Sequence, residues 1–197
     1  MSANTPQPQL MMVWPRNKLK KALRVKIPAG YRLRSFQEGD QPHFYELMVR
    51  AGFPDWGNEK QNNLANMFFP KILPQGWFFV FHKKTGIMTA TAMSTHNPRP
   101  GFFFGGELSW VGGDPEHGGK GLGLAVCAAV VNRYLKIGYQ NIYLLTDDHR
   151  LPAIKVYLKL GFLPNLVNSE MEERWKTVCQ KLNWPFTPQR WLRISGS

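Results

Sequence analysis

The residues best suited to chemistry lie in one stretch, Glu107 to Pro164, centred on His117-Gly118-Gly119-Lys120-Gly121-Leu122-Gly123-Leu124-Ala125. Glycines let successive backbone N–H groups turn toward one point. The unpaired N–H groups of a helix start add partial positive charge, so this composition suits a phosphate group. Two elements must position the loop. Glu107-Leu108-Ser109-Trp110-Val111 reads as a strand running into it, and the apolar segment Leu124 to Ile137 reads as a helix running out.

The common phosphate loops do not fit. The nucleoside triphosphate loop needs Gly, four residues, then Gly-Lys-Ser/Thr. With Gly119-Lys120 as its pair, the first Gly falls on Asp114 and the Ser/Thr on Gly121. The dinucleotide pattern Gly-x-Gly-x-x-Gly, begun at Gly119 or Gly121, ends on Leu124 or Val126. The stretch instead resembles the acyl-coenzyme A loop of the GNAT N-acetyltransferase superfamily, Arg/Gln-x-x-Gly-x-Gly/Ala between a strand and a helix. Gly121 and Gly123 match, while Gly118 stands in place of Arg or Gln, leaving Lys120 or His117 to supply charge. A second segment is similar to the family's Asn-x-x-Ala-x-x-x-Tyr helix ending in Leu-Gly-Phe. Asn141 to Thr146 reads as the preceding strand, Ala153, Tyr157 and Leu160-Gly161-Phe162 match, and Arg150 replaces the Asn. The variant Thr146-Asp147-Asp148-His149-Arg150-Leu151-Pro152 looks like a bacterial branch near the mycothiol synthase-like acetyltransferases.

The resemblance implies a mixed α/β (α+β) fold. It would be a single GNAT domain whose central, mostly antiparallel, twisted sheet splays at the cofactor site, flanked by helices, here with a C-terminal helix. It implies transfer of an acetyl group from acetyl-CoA to an amine by direct attack in a ternary complex, without a metal. On this reading Gly118, Gly119, Lys120, Gly121, Leu122, Gly123 and Leu124, with His117, hold the pyrophosphate. Trp110, Val111 and Gly112 pair with the pantetheine arm and aim a backbone N–H at the thioester oxygen. Arg150 and Ala153 fall at cofactor-side motif positions. Tyr157 lies near the sulfur and protonates the thiolate, its reference pKa of ~10 leaving it a proton at neutral pH. Glu107 is the candidate base, because a charge inside the apolar run Phe102 to Val111 demands a partner or a wet pocket. Alternation puts Glu107, Ser109 and Val111 on one face. Asp147, Asp148 and His149 resemble metal ligands by type, but their adjacency suits a loop and helix cap.

Composition sets the frame. A chain of 197 residues with 43% hydrophobic residues suits one globular domain. No apolar run approaches the ~20 residues of a membrane span, and no signal-like apolar segment follows the N-terminal basic residues. Cys127 and Cys179 lack metal spacing. A cytoplasmic protein is the expectation. The net charge is +12, and residues 1–37 carry eight of the cations and no acid, leaving +4 elsewhere (12 − 8). This arm reads either as a solvated extension or as a dock for an acidic partner or nucleic acid, although no zinc finger, RNA-recognition signature or basic zipper is present. The expected organisation is a basic extension over 1–30, an acetyltransferase domain over 31–183 and a tail over 184–197. Residues 1–15 read as a loose lead-in, Asn17 to Val25 as a short basic helix, and Ser169 to Leu182 as a helix capped by Ser169 and Glu172. Phe53, Pro54, Trp56, Met67, Phe68 and Phe69 fall where the family walls its acceptor side. The acceptor would be a small molecule or a protein, and exposed strands and the C-terminal helix offer surface for a homodimer. The rival readings are a non-enzymatic acyl-CoA-binding sensor or interaction domain, and a protein- or ribosome-directed modifier guided by the arm.

Overall fold

The computed structural model describes residues 7–57 and 67–194. Seven strands form one sheet: β1 (Leu10–Val13), β2 (Tyr31–Ser35), β3 (Ile72–His82), β4 (Met88–His96), β5 (Gly105–Gly113), β6 (Asn141–Thr146) and β7 (Leu163–Pro164). Their order is β2-β3-β4-β5-β6-β1-β7. Only β5 and β6 run parallel; every other pairing is antiparallel. The four principal helices are α1 (Gln41–Arg50), α2 (Leu122–Lys136), α3 (Leu151–Leu160) and α4 (Ser169–Leu182). The mixed α+β sheet expected from sequence is the one observed.

Two main apolar clusters lie against the sheet, with a smaller one of Val13, Phe102 and Tyr143 beside them. Phe44, Leu47 and Met48 of α1 meet Trp56, Trp77 and Phe79 in one. The larger cluster joins α2, α3 and α4 through Val126, Val130, Ile154, Tyr157, Trp175 and Val178. Helix α2 is apolar nearly all round because it is buried nearly all round. It lies close on β5 because Gly106 has no side chain: a Cβ there would run into the Tyr134 ring. The Tyr134 hydroxyl then reaches the carbonyl oxygens of Thr95 and Glu107, at 2.9 and 2.7 Å.

Residues 1–6 of the expected loose lead-in lie outside the described residues, and the rest of it departs from that reading. Leu10 to Val13 is an interior strand, antiparallel to β6 on one side and to β7 on the other. Leu10, Met12 and Trp14 are at most 1% exposed. The expected helix over Asn17 to Val25 is also absent. Only Arg16–Lys18 makes a 3-10 turn, and the chain then runs as an extended strap to Gly30. Leu23, Val25 and Ile27 alternate inward while Arg24 and Lys26 point outward. Leu19, Leu23 and Ile27 pack on the larger cluster. Asn132 of α2 grips the Leu23 backbone at both ends, with Oδ1 accepting from N–H at 2.7 Å and Nδ2 donating to the carbonyl at 2.8 Å. The strap is pinned because its own backbone has no ladder to satisfy.

Smaller differences have local causes. The cap of α4 is Asn168, whose side chain accepts from the Met171 N–H, one residue before the expected Ser169. The C-terminal segment is irregular but packed, with Trp191 against Trp175 and Phe186.

Candidate active site

β5 and β6 pair only from Gly105 to Glu107 against Asn141 to Tyr143. Beyond that the parallel strands separate, and the open edge of β5 faces a cleft of about 410 Å³. The departure is helped by an irregularity on the other side of β5, where Thr91 pairs with Gly112 but Met93 pairs with Ser109. The extra residue is taken up at Trp110, whose φ of 49° is left-handed. This bulge breaks the expected alternation. Leu108 and Val111 both pack on the α2-side cluster, while Trp110 turns to the opposite one, against Trp56, Phe53 and Phe68. Glu107, Ser109 and Val111 therefore do not share a face as strict alternation would have it.

The glycine loop sits at the end of β5. Gly119 and Gly121 have φ of 74° and 78°, flanking Lys120. Such left-handed turns can set successive N–H groups toward one side. Gly121 caps α2, and the first backbone bond into that helix runs from Ala125 N–H to the Gly121 carbonyl at 3.1 Å. The N–H groups ahead of Ala125 belong to the unpaired first turn. Gly118 has a local reason to be glycine, since a Cβ there would lie 3.0 Å from the Pro115 carbonyl oxygen. His117 Nδ1 lies 2.8 Å from the Tyr31 hydroxyl, and Lys120 Nζ donates to the Glu116 carbonyl at 3.3 Å. The loop and the splayed strand fit an elongated ligand with a phosphate group at one end.

Glu107 opens onto the cleft. Its Oε2 accepts from Asn97 Nδ2 at 2.5 Å and lies 3.4 Å from the Tyr143 hydroxyl, which donates to the Asn97 carbonyl at 2.6 Å. Its Oε1 has no hydrogen-bond partner among the described residues. Thr95 and Ser109 continue the polar wall, their hydroxyls 3.2 Å apart. Tyr157 closes the opposite side, buried at 5% exposure but still lining the cleft. Its phenol is held well above the ordinary tyrosine range, chiefly by burial. Ala153 lines the same wall. Arg150 crosses toward α1, its guanidinium 3.8 Å from the centre of the Phe53 ring, with Nε 3.3 Å from Asp147 Oδ2.

A sequence profile described as the acetyltransferase (GNAT) family matches residues 41–162. The chain belongs to that family. The mycothiol acetyltransferase of Saccharomonospora viridis is 30% identical over 148 residues, covering 71% of this chain and 48% of that protein. That of Amycolatopsis mediterranei is 34% identical over 141 residues, covering 68% and 46%. This chain therefore spans under half the length of either relative. Among solved structures, a GCN5-related N-acetyltransferase from Sphaerobacter thermophilus superposes with a TM-score of 0.59 at 19% identity, over 81% of this chain and 50% of that one. A tandem GNAT protein from the clavulanic acid biosynthesis pathway gives 0.59 at 18%, over 81% and 51%.

Several residues of this GNAT cleft are not evident from the motifs. Gln9, just before β1, lines it and donates to Asp147 Oδ1 at 3.1 Å. Lys71, Asn97 and Asp147 line it too. Asp147 thus serves both the wall and the loop, while Asp148 turns away to Arg174, whose Nε donates to it at 3.0 Å. Of the residues expected on the acceptor side, Phe53 and Phe68 line the cleft, Trp56 is core and Met67 is exposed. No helix is long and apolar enough to cross a membrane among the described residues.

The GNAT core also carries a pH signature. Burial holds Tyr134 and Tyr157 above the ordinary tyrosine range. The unfolded chain then loses these protons first, so their contribution is full below pH ~10 and declines as pH rises past it, by about 1.4 kcal/mol per pH unit per group. Thermal melts should be flat in this respect up to about pH 10 and fall above it. A melting temperature unchanged through that range would contradict the burial of these phenols.

Proposed function

We propose that this chain transfers the acetyl group of acetyl-CoA to the amine of a small cationic acceptor. The observation that carries the reading is the cleft itself. A carboxylate with a free oxygen and a buried phenol line one cleft, on a splayed strand and a neighbouring helix, and that strand leads to the glycine-rich start of α2. Acetyl-CoA supplies an activated acetyl thioester when bound. The loop Gly118 to Leu124 would hold its pyrophosphate through backbone N–H groups, with His117 and Lys120 beside it. The free edge of β5 from Trp110 to Gly112 would bind the pantetheine amides, and Arg150 and Ala153 would cover them. A backbone N–H at the Trp110 bulge would stabilise negative charge on the thioester oxygen.

The protein's remaining work is proton movement. Glu107 Oε1 would take a proton from the acceptor's ammonium, directly or through a water, while Asn97 and Tyr143 fix the other oxygen. Tyr157 would give its phenolic proton to the departing thiolate; burial ensures that the proton is present throughout the ordinary pH range. Asp147 is balanced by Arg150 and Lys71 on the same wall, so Glu107 is the carboxylate left to draw the acceptor's ammonium, and about 410 Å³ suits a small molecule.

Glu107→Gln keeps the Asn97 bond and removes the base. It should lower kcat about 10²-fold, in the usual range for a general base, with acetyl-CoA affinity within about twofold. Calorimetry with acetyl-CoA followed by turnover across an amine panel tests the reading. Acetyl-CoA binding without acetylation of any amine would favour the acyl-CoA sensor, and an unchanged kcat in Glu107→Gln would remove Glu107 from the chemistry.

A further inference from the structure

The larger helical layer carries a second surface, formed by the exposed sides of the strap, α2 and α3. The strap exposes Arg16, Lys20, Lys21, Arg24 and Lys26. Beneath and beside it, α2 adds Lys136 and α3 adds Lys155 and Lys159, the last two one helical turn apart and both exposed. Neither the strap from Trp14 to Gly30, nor α2, nor α3 contains an Asp or Glu. None of these eight cations enters an ion pair among the described residues. The charges are not on a floating tail, because Leu19, Leu23 and Ile27 and the two Asn132 bonds fix the strap on α2. Lys18 ties its start to α3 through the Gly161 carbonyl at 3.3 Å. Holding like charges together costs free energy that a polyanion would return.

Shape and composition narrow the polyanion. Ile137, the C-cap of α2 beside Lys136, is the one exposed large apolar side chain next in sequence to these elements among the described residues, and it is not aromatic. There is thus no aromatic platform for stacked single-stranded bases and no apolar wedge for a bilayer. The two Asn132 bonds hold the strap on α2, so it is not free to enter a DNA major groove. A-form RNA offers phosphates and 2′-hydroxyls across a wide, shallow groove that is recognised by shape.

We propose that this face docks on double-stranded RNA, held through the phosphate backbone without base readout. The test is fluorescence anisotropy with an RNA duplex of about 20 base pairs, titrated with the full chain from about 50 to about 200 mM salt. The wild type should bind in the micromolar range at low salt. Arg24→Glu/Lys26→Glu should bind at least about fivefold more weakly and lower the log–log salt slope by about 2, as two lost phosphate contacts require. Lys83→Glu/Lys84→Glu makes the same charge change in the β3–β4 turn and should bind like the wild type. Lys155→Glu/Lys159→Glu serves as a second variant should the strap variant fold poorly. The assignment is overturned by absence of binding at low salt, or by equal loss in the face and turn variants. It is equally overturned by binding as tight to the matching DNA duplex or single strand, or by capture on phosphatidylserine-rich vesicles with none on RNA.

Discussion

Acetyl-CoA binding is expected to collapse in Gly121→Glu while the fold survives. Gly121 caps α2 in the left-handed region at φ 78°, and a Cβ there would meet nothing within 4 Å. The substitution therefore brings modest backbone strain, of about 1–2 kcal/mol, but no clash. What it adds is a carboxylate in the loop proposed to hold the pyrophosphate. Juxtaposing it with a pyrophosphate costs several kcal/mol, which converts to a loss of about 10³-fold in affinity. Gly121→Asn separates charge from strain, because Asn tolerates the left-handed region; it should stay within about tenfold of the wild type. Calorimetric titration of both variants decides the matter. Equal affinities for the wild type and Gly121→Glu would mean that the phosphate lies elsewhere.

The second large effect is on folding. Removing residues 1–14 should leave a chain without a cooperative thermal transition. The deletion takes away an interior strand and with it Leu10, Met12, Val13 and Trp14, all buried. Each full burial of such a side chain is worth about 1.5–3 kcal/mol, comparable in sum with the whole stability of a domain. It would also leave β6 and β7 with unpaired edges. The single change Trp14→Ala is the graded version. Trp14 packs edge-on to Phe162 at 5.1 Å, and its loss should cost about 3–5 kcal/mol, lowering the melting temperature by roughly 10 °C. A truncated chain that melts as the wild type does would contradict the place of β1 in the sheet. The same feature means that deleting the arm cannot isolate an effect on substrate binding; charge reversals on the strap can.

The parts of this molecule that could be read from sequence are those whose signal is local. The glycine loop needs only neighbouring residues to turn left-handed, and the α3 motif is one continuous helix. β1 escaped because Leu10-Met11-Met12-Val13-Trp14 is a short apolar run buried on both faces, without alternation, set among Pro6, Pro8 and Pro15. In the strap, Leu19 and Leu23 are four apart and suggest a helix. Leu23, Val25 and Ile27 are two apart and give the extended answer, which the pinning by Asn132 enforces. The bulge at Trp110 was invisible because a left-handed tryptophan has no sequence mark. Gln9, Lys71, Asn97 and Asp147 reach one cleft from four separate segments, a convergence that only the sheet order creates.

That sheet order also sets a timetable for synthesis. Leu10, made well before its partner, sits opposite Thr146, and Met12 sits opposite Pro164. The sticky segment from Leu10 to Trp14 must wait outside any sheet until both neighbours have left the ribosome, and it then enters the slot between them. Such distant pairing makes for slow closure and for a nascent chain exposed to aggregation. The sheet cannot close until Pro164 has been made, and the unpaired Leu10 to Trp14 segment is the clearest target for a holdase chaperone until then.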